Sequence, residues 1–199
     1  MRIMKTKVYT FDELSDEAKE KARSWWREGG LDYEWYDGEY EDFTTIAGFM
    51  GIEVEHIYFS GFWSQGDGAC FEGNYRYEKG GVKKLLEYAP QDKELNQIIE
   101  TLAEAQKKNF YQIYGTIKHQ GHYYHYNSMD ITLNRENNRG EEIPMVDDAE
   151  DTITEAFRDL AKWLYRNLET QYDYLNSDEQ VDETIRINDY EFTEDGGIA

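Results

Sequence analysis

The sequence has a single cysteine, Cys70, and only two prolines in 199 residues. One cysteine forms no internal disulfide, which excludes a disulfide-stapled secreted scaffold and points to a reducing cytoplasm. No stretch rich in Pro, Gly or Ser marks a linker, so a single α+β domain over residues 1–199 is expected. No apolar run approaches the roughly 20 residues that a membrane span needs. Met1–Lys5 is not followed by the apolar stretch of a signal peptide. A soluble cytoplasmic protein follows as the expectation. Bases are scarce as well: 21 Lys and Arg stand against 42 Asp and Glu, a net charge of -21. Such a surface repels nucleic-acid phosphates and anionic membranes, and attracts basic surfaces. Direct nucleic-acid or membrane binding is therefore not expected. No cofactor motif is present.

Aromatic residues are plentiful, at 16% of the chain, which argues against disorder despite the charge. His56–Tyr77 (HIYFSGFWSQGDGACFEGNYRY) reads as two strands around a glycine-rich turn. Gln112–Leu133 is a partial echo, with Ile113-Tyr114 matching Ile57-Tyr58 and Gln120-Gly121 matching Gln65-Gly66. Two such hairpins predict an antiparallel sheet of four to six strands, with helices mainly on one face. A turn at Gln65–Gly68 would set Phe62 opposite Phe71 and Tyr58 opposite Tyr75. Gly61 and Gly73 would then mark bulges or close backbone approaches.

Helical spacing predicts the other elements. Thr10 with Glu13, and then Ser15, offer helix starts before Asp16–Arg27. Tyr36, Tyr40, Phe43, Ala47 and Met50 form one stripe, although Gly38 weakens its first turn. Val82–Leu86, Asp92–Lys108 and Asp147–Leu175 complete the helices. Ser177–Glu183 reads as a turn or short helix. Lys5–Thr10 and Thr184–Phe192 read as end strands.

Catalytic signals are weak. His119, His122 and His125 are spaced HxxHxxH, but on a strand His122 would face away from the other two. With Gln120-Gly121 as a two-residue turn, His119 and His122 would pair and His125 would point elsewhere. Three-ligand convergence fails either way, which leaves a two-His site completed by a carboxylate from elsewhere as the alternative to sheet residues. Ser64–Gly68 lacks the lysine and helix start of a phosphate loop. Cys70 has no neighbouring base in sequence and reads as packing. A small enzyme using the His119/His122 region or the loop around Asp67 stands as the alternative to a binding protein.

The acids carry more information. Residues 31–55 hold eight acids and no base. Glu34, Asp37 and Glu41 fall opposite the apolar stripe. On the long helix Asp148, Asp151, Glu155 and Asp159 form a second stripe, partly offset by Arg158, Lys162 and Arg166. Acids one turn apart lie roughly 5 to 6 Å from each other, not far from the spacing of phosphates along a strand. They could occupy a basic cleft in place of nucleic acid. Trp63 and Tyr123, on the hairpins, are the candidate aromatic contacts.

Two stretches, VYTFDELSDEAKEKARSWWREG (Val8–Gly29) and YFSGFWSQGDGACFEG (Tyr58–Gly73), resemble small acidic proteins encoded by phages and prophages. These carry the label "antitoxin of toxin-antitoxin stability system". The resemblance implies a phage product acting in a bacterial host. By analogy it implies an inhibitor of host defence, in the manner of anti-CRISPR and DNA-mimicking antirestriction proteins. The expected partner is a host protein with a basic, nucleic-acid-binding surface. The label itself implies the alternative, an antitoxin that neutralises a basic toxin.

Overall fold

A computed structural model describes residues 7–31 and 33–199. The elements in chain order are β1 (Tyr9–Thr10), a 3-10 turn (Phe11–Glu13), α1 (Asp16–Gly29), α2 (Asp37–Phe49), β2 (Ile52–Phe59), β3 (Ala69–Arg76), α3 (Gly81–Tyr88), α4 (Lys93–Lys108), β4 (Ile113–His119), a 3-10 turn (Tyr126–Ser128), β5 (Met129–Arg135), α5 (Ala149–Leu175), α6 (Asp178–Ile187) and β6 (Glu191–Phe192). They fall into two compact units. One holds Asp37–Glu169. The other holds the described residues up to Tyr36 together with Thr170–Ala199.

The larger unit is built on an antiparallel sheet of order β2-β3-β4-β5, the two predicted hairpins side by side. Side chains alternate as strand geometry requires. Phe71, Tyr75, Ile117 and Leu133 are buried on one face, while Asn74, Thr116, Lys118 and Thr132 are exposed on the other. The helices cover the buried face. Phe43 of α2 meets Phe71 at 5.2 Å between ring centroids, and Phe157 of α5 stands edge-on to Tyr75 at 4.9 Å. Burial of each such side chain contributes about 1.5–3 kcal/mol. The class is α+β, as the sequence predicts.

The register differs from the predicted one. Phe71 opposes Ile57, not Phe62, and Tyr75 opposes Ile52, not Tyr58. β2 stops at Phe59, and residues 60–68 form a loop rather than a tight turn. In it the Asp67 carboxylate accepts the Ser64 amide at 2.7 Å, a local bond that competes with strand pairing. A bulge between Val54 and His56 shifts the pairing again. Gly73 faces it, and a Cβ there would lie 2.3 Å from the Glu53 carbonyl oxygen, the close approach expected of a strand glycine. Gly61 lies in the loop. The second hairpin also has a long loop, residues 120–128, so Gln120-Gly121 is not a two-residue turn.

β2 is an edge strand that pairs, among the described residues, with β3 alone. The Arg76 amide donates to the Gly51 carbonyl at 2.9 Å, which makes Gly51 and Arg76 a bonded pair. Bonded and non-bonded pairs alternate along an antiparallel ladder. The amide and carbonyl groups of Ile52 and Val54 therefore point away from β3, along the open edge. Ser60 donating to Gly68 at 3.0 Å fixes the phase beyond the bulge, and places those of Ile57 and Phe59 there too.

In the smaller unit Phe11, Leu14, Ala18, Ala22 and Trp26 pack with Val181, Ile185 and Phe192. Both predicted helix starts are used. The Thr10 amide donates to Glu13 at 2.9 Å, and the Ala18 amide to Ser15 Oγ at 3.3 Å. The predicted strand Thr184–Phe192 is corrected: α6 runs to Ile187, and only Glu191–Phe192 is strand, paired with β1. Val181 and Ile185, one helical turn apart, are both buried, so the helical period prevails. Of the predicted strand Lys5–Thr10, Tyr9–Thr10 is strand, while Lys5 and Thr6 lie outside the described residues.

Arg23 of α1 grips Asp182 of α6 with two bonds, Nε to Oδ1 at 2.6 Å and a terminal nitrogen to Oδ2 at 2.8 Å. Both side chains are mostly buried. The Arg23 guanidinium holds the Asp182 carboxyl below the usual carboxylate range. A depressed carboxylate adds stability above its unfolded pKa, and that stability is lost as pH falls through the folded value. Asp182→Ala should cost about 1–3 kcal/mol at neutral pH, because two charge-assisted bonds are lost while Arg23 keeps its ion pair with Glu20. The cost should shrink below about pH 4, where unfolded carboxylates protonate. Urea melts of both proteins across that range check it.

Candidate partner-binding surface

The side chains proposed for chemistry come first. His119, on the last residue of β4, has its Nε2 3.1 Å from the Tyr123 carbonyl oxygen, with its ring against Tyr58 and Tyr124. His125 Nδ1 accepts the Asn127 amide at 3.1 Å, and burial lowers its pKa. His122 is exposed, edge-on to Tyr123. The three rings thus meet three different sets of neighbours. Among the described residues no group of three His, Cys, Asp or Glu is placed to hold a metal ion.

Nearby, Glu72 accepts the His119 amide at 2.9 Å and the Tyr58 hydroxyl at 3.2 Å. These bonds hold its carboxyl below the ordinary value. Burial raises Tyr58. A carboxylate with both oxygens occupied and a phenol that keeps its proton make a brace rather than an acid-base pair. Cys70 is fully buried, and burial pushes its thiol up to about 11. It stays protonated at neutral pH and serves as packing.

The two loops at this end of the sheet meet. A Cβ on Gly66 would sit 3.1 Å from the Tyr123 ring, and one on Gly68 would sit 2.8 Å from the His125 ring. Tyr58 stacks on Tyr124 with centroids 5.0 Å apart. Trp63 and Tyr123 are exposed, at 74% and 62%, as their proposed role requires.

The acids divide into two kinds. On α5 Asp151 is exposed, but Glu155 pairs with Arg158 at 2.5 Å and the half-buried Asp159 with Lys162 at 2.8 Å. Glu155 and Asp159 are thus paired along their own helix. On α2 Asp37 and Glu41 are both exposed. Glu34 is exposed in the smaller unit. α2 packs over β2, and together they flank an open groove of about 740 Å³. Asp37, Glu41 and Glu55 line it, with Tyr40, Val54, His56 and Ile57. Glu55 pairs with the Lys118 ammonium at 3.7 Å. On α2, burial, with Asp42 beside it, pushes the Glu39 carboxyl up.

Sequence reasoning found Asp37 and Glu41 from the helical stripe. It missed Glu55, which reaches the same groove from the bulge of β2. Tyr40, assigned to the inner face, is half-buried and also lines the groove.

Among the described residues no helix is long and apolar enough to cross a membrane. No curated protein and no solved structure matches the chain. Residues 35–178 match a family profile, and that span brackets the larger unit, including the sheet, α2 and the groove. As the match covers well over half of the sequence, the chain belongs to the family described as Domain of unknown function (DUF8835).

Proposed function

We propose that the protein is a phage-encoded inhibitor that acts in the cytoplasm of a bacterial host. It lays its acidic α2–β2 groove on a basic, nucleic-acid-binding surface of a host defence protein. The supporting observation is the convergence of Asp37, Glu41 and Glu55 on an open groove beside the free edge of β2. Carboxylates there present charge where phosphates would otherwise sit. The outward amides and carbonyls of β2 offer main-chain bonds to an extended segment. Rim charges of this kind act mainly on association rate and specificity.

The reading is tested by using the chain as bait in bacterial lysate, identifying the captured protein by mass spectrometry and purifying it. The captured protein should bind either duplex DNA or the chain, but not both together. Asp37→Lys with Glu41→Lys and Glu55→Lys should weaken capture about 100-fold, at about 1 kcal/mol per exposed charge. The melting temperature should move little, since exposed substitutions change stability by about 0.5 kcal/mol or less. A ternary complex with DNA would contradict mimicry. Capture of a basic toxin with no affinity for nucleic acid would favour the antitoxin reading.

A further inference from the structure

The smaller unit contains a cleft that the acidic groove does not explain. It has a volume of about 340 Å³ and lies where the ends of α1 and α6 meet the chain after each helix. Its walls are aromatic: Trp25, Trp26, Tyr33 and Tyr190. Trp25 and Tyr190 stand perpendicular, with centroids 5.2 Å apart and an interplanar angle of 81°. Tyr33 is 56% exposed at the mouth. Gly30 lies flat on the Trp26 indole, where an added Cβ would be 2.4 Å from the ring. Glycine at this position therefore keeps the wall in place.

Charge favours a cation here. Gly30 and Asn188, the residues that end α1 and α6, both line the cleft. Helix C-termini carry partial negative charge. The nearest arginines along the chain are engaged elsewhere. Arg27 bonds to Asp178 at 2.5 Å and to the Asn176 carbonyl at 3.0 Å, and Arg186 bonds to Asp12 at 2.9 Å. Two side-chain donors of the lining are occupied within α6. Asn188 Nδ2 donates to the Thr184 carbonyl at 2.9 Å, and Thr184 Oγ1 donates to the Gln180 carbonyl at 2.8 Å. Among the described residues no carboxylate lines the cleft. A guanidinium or free ammonium is best held by a carboxylate as well as by neutral acceptors. A quaternary ammonium brings charge and no donors.

We propose that this cleft binds a trimethylammonium group by cation–π contact with Trp25, Tyr33 and Tyr190. The group has two sources, a trimethyllysine side chain or a small molecule of the choline type. The test is an NMR titration of the full chain that follows the indole and ring signals of these three residues. Its arms are choline, acetyl-trimethyllysine methylamide and 3,3-dimethylbutan-1-ol, the uncharged isostere of choline. Both cations should give saturable shifts, with affinity about tenfold or more above that of the alcohol. Tighter binding of the lysine derivative would identify a protein side chain as the source, and tighter binding of choline a small molecule. Tyr33→Ala should weaken either cation about tenfold while leaving the thermal melt unchanged, since Tyr33 is exposed. Equal affinity for choline and the alcohol, or shifts that never saturate, would overturn the proposal.

Discussion

Gln106→Leu should destabilise the larger unit by about 2–4 kcal/mol, a large effect for a substitution of similar volume that adds hydrophobicity. β3 and β4 pair only as far as Arg76 opposite Tyr114. Ile113, one residue further, is left with main-chain groups that no neighbouring strand satisfies on that side. Gln106 of α4 takes the place of the missing strand. Its Nε2 donates to the Ile113 carbonyl at 2.7 Å and lies 3.1 Å from the Tyr75 hydroxyl, while its Oε1 accepts the Ile113 amide at 3.2 Å. All of this is buried, and burial pushes the Tyr75 hydroxyl up to about 12. Leucine would strand a buried donor and a buried acceptor, each costing about 1–3 kcal/mol. Chemical denaturation followed by tryptophan fluorescence measures the change. A loss under 1 kcal/mol would mean that water replaces the amide.

Gly51→Ala should cost a similar amount, about 2–4 kcal/mol, and should also disturb the groove. Gly51 is the single residue between Met50, which follows α2, and the start of β2. Its φ of +84° lies in the left-handed region, which costs other residues about 1–2 kcal/mol. A Cβ there would fall 2.0 Å from the Arg76 carbonyl oxygen, a main-chain atom held in the sheet. Over-packing of that kind adds about 1–3 kcal/mol. Moving Gly51 away from that atom displaces the joint between α2 and β2, the two walls that bring Asp37 and Glu41 to Glu55. Loss of partner affinity in a variant that remains folded would show the coupling. Unchanged stability and affinity would refute it.

Local patterns made much of the fold legible. The stripes Leu95–Ala105 and Ile153–Leu168 predicted α4 and α5, and Asp92 caps α4 through a bond from the Leu95 amide at 2.9 Å. The two hairpins were legible from their β-branched and aromatic runs. Their registers were not, because Phe62 and Trp63 look like strand residues but sit in a loop set by the Asp67–Ser64 bond. Thr184–Ile187 alternates like a strand, yet its helix is decided by the packing of Val181 and Ile185 against a core from the other end of the chain. The surface was half legible. Periodicity along one helix shows which acids face out. It also sets Lys162 one turn from Asp159, as found, but it does not show that a β-bulge carries Glu55 to the groove beside Glu41, because that is a tertiary fact.

The central claim is that binding rests on the acidic charge of the α2–β2 groove. The direct measurement is the affinity of the captured partner between about 50 and 300 mM salt, for the native chain and for the Asp37→Lys, Glu41→Lys, Glu55→Lys variant. Screening acts on exposed charges over about 10 Å at 0.1 M. The native complex should weaken steeply with salt, while the variant should bind weakly with a much flatter dependence. Equal affinities and equal salt slopes for the two proteins would contradict the account and move the contact to the exposed Trp63 and Tyr123 of the hairpin loops.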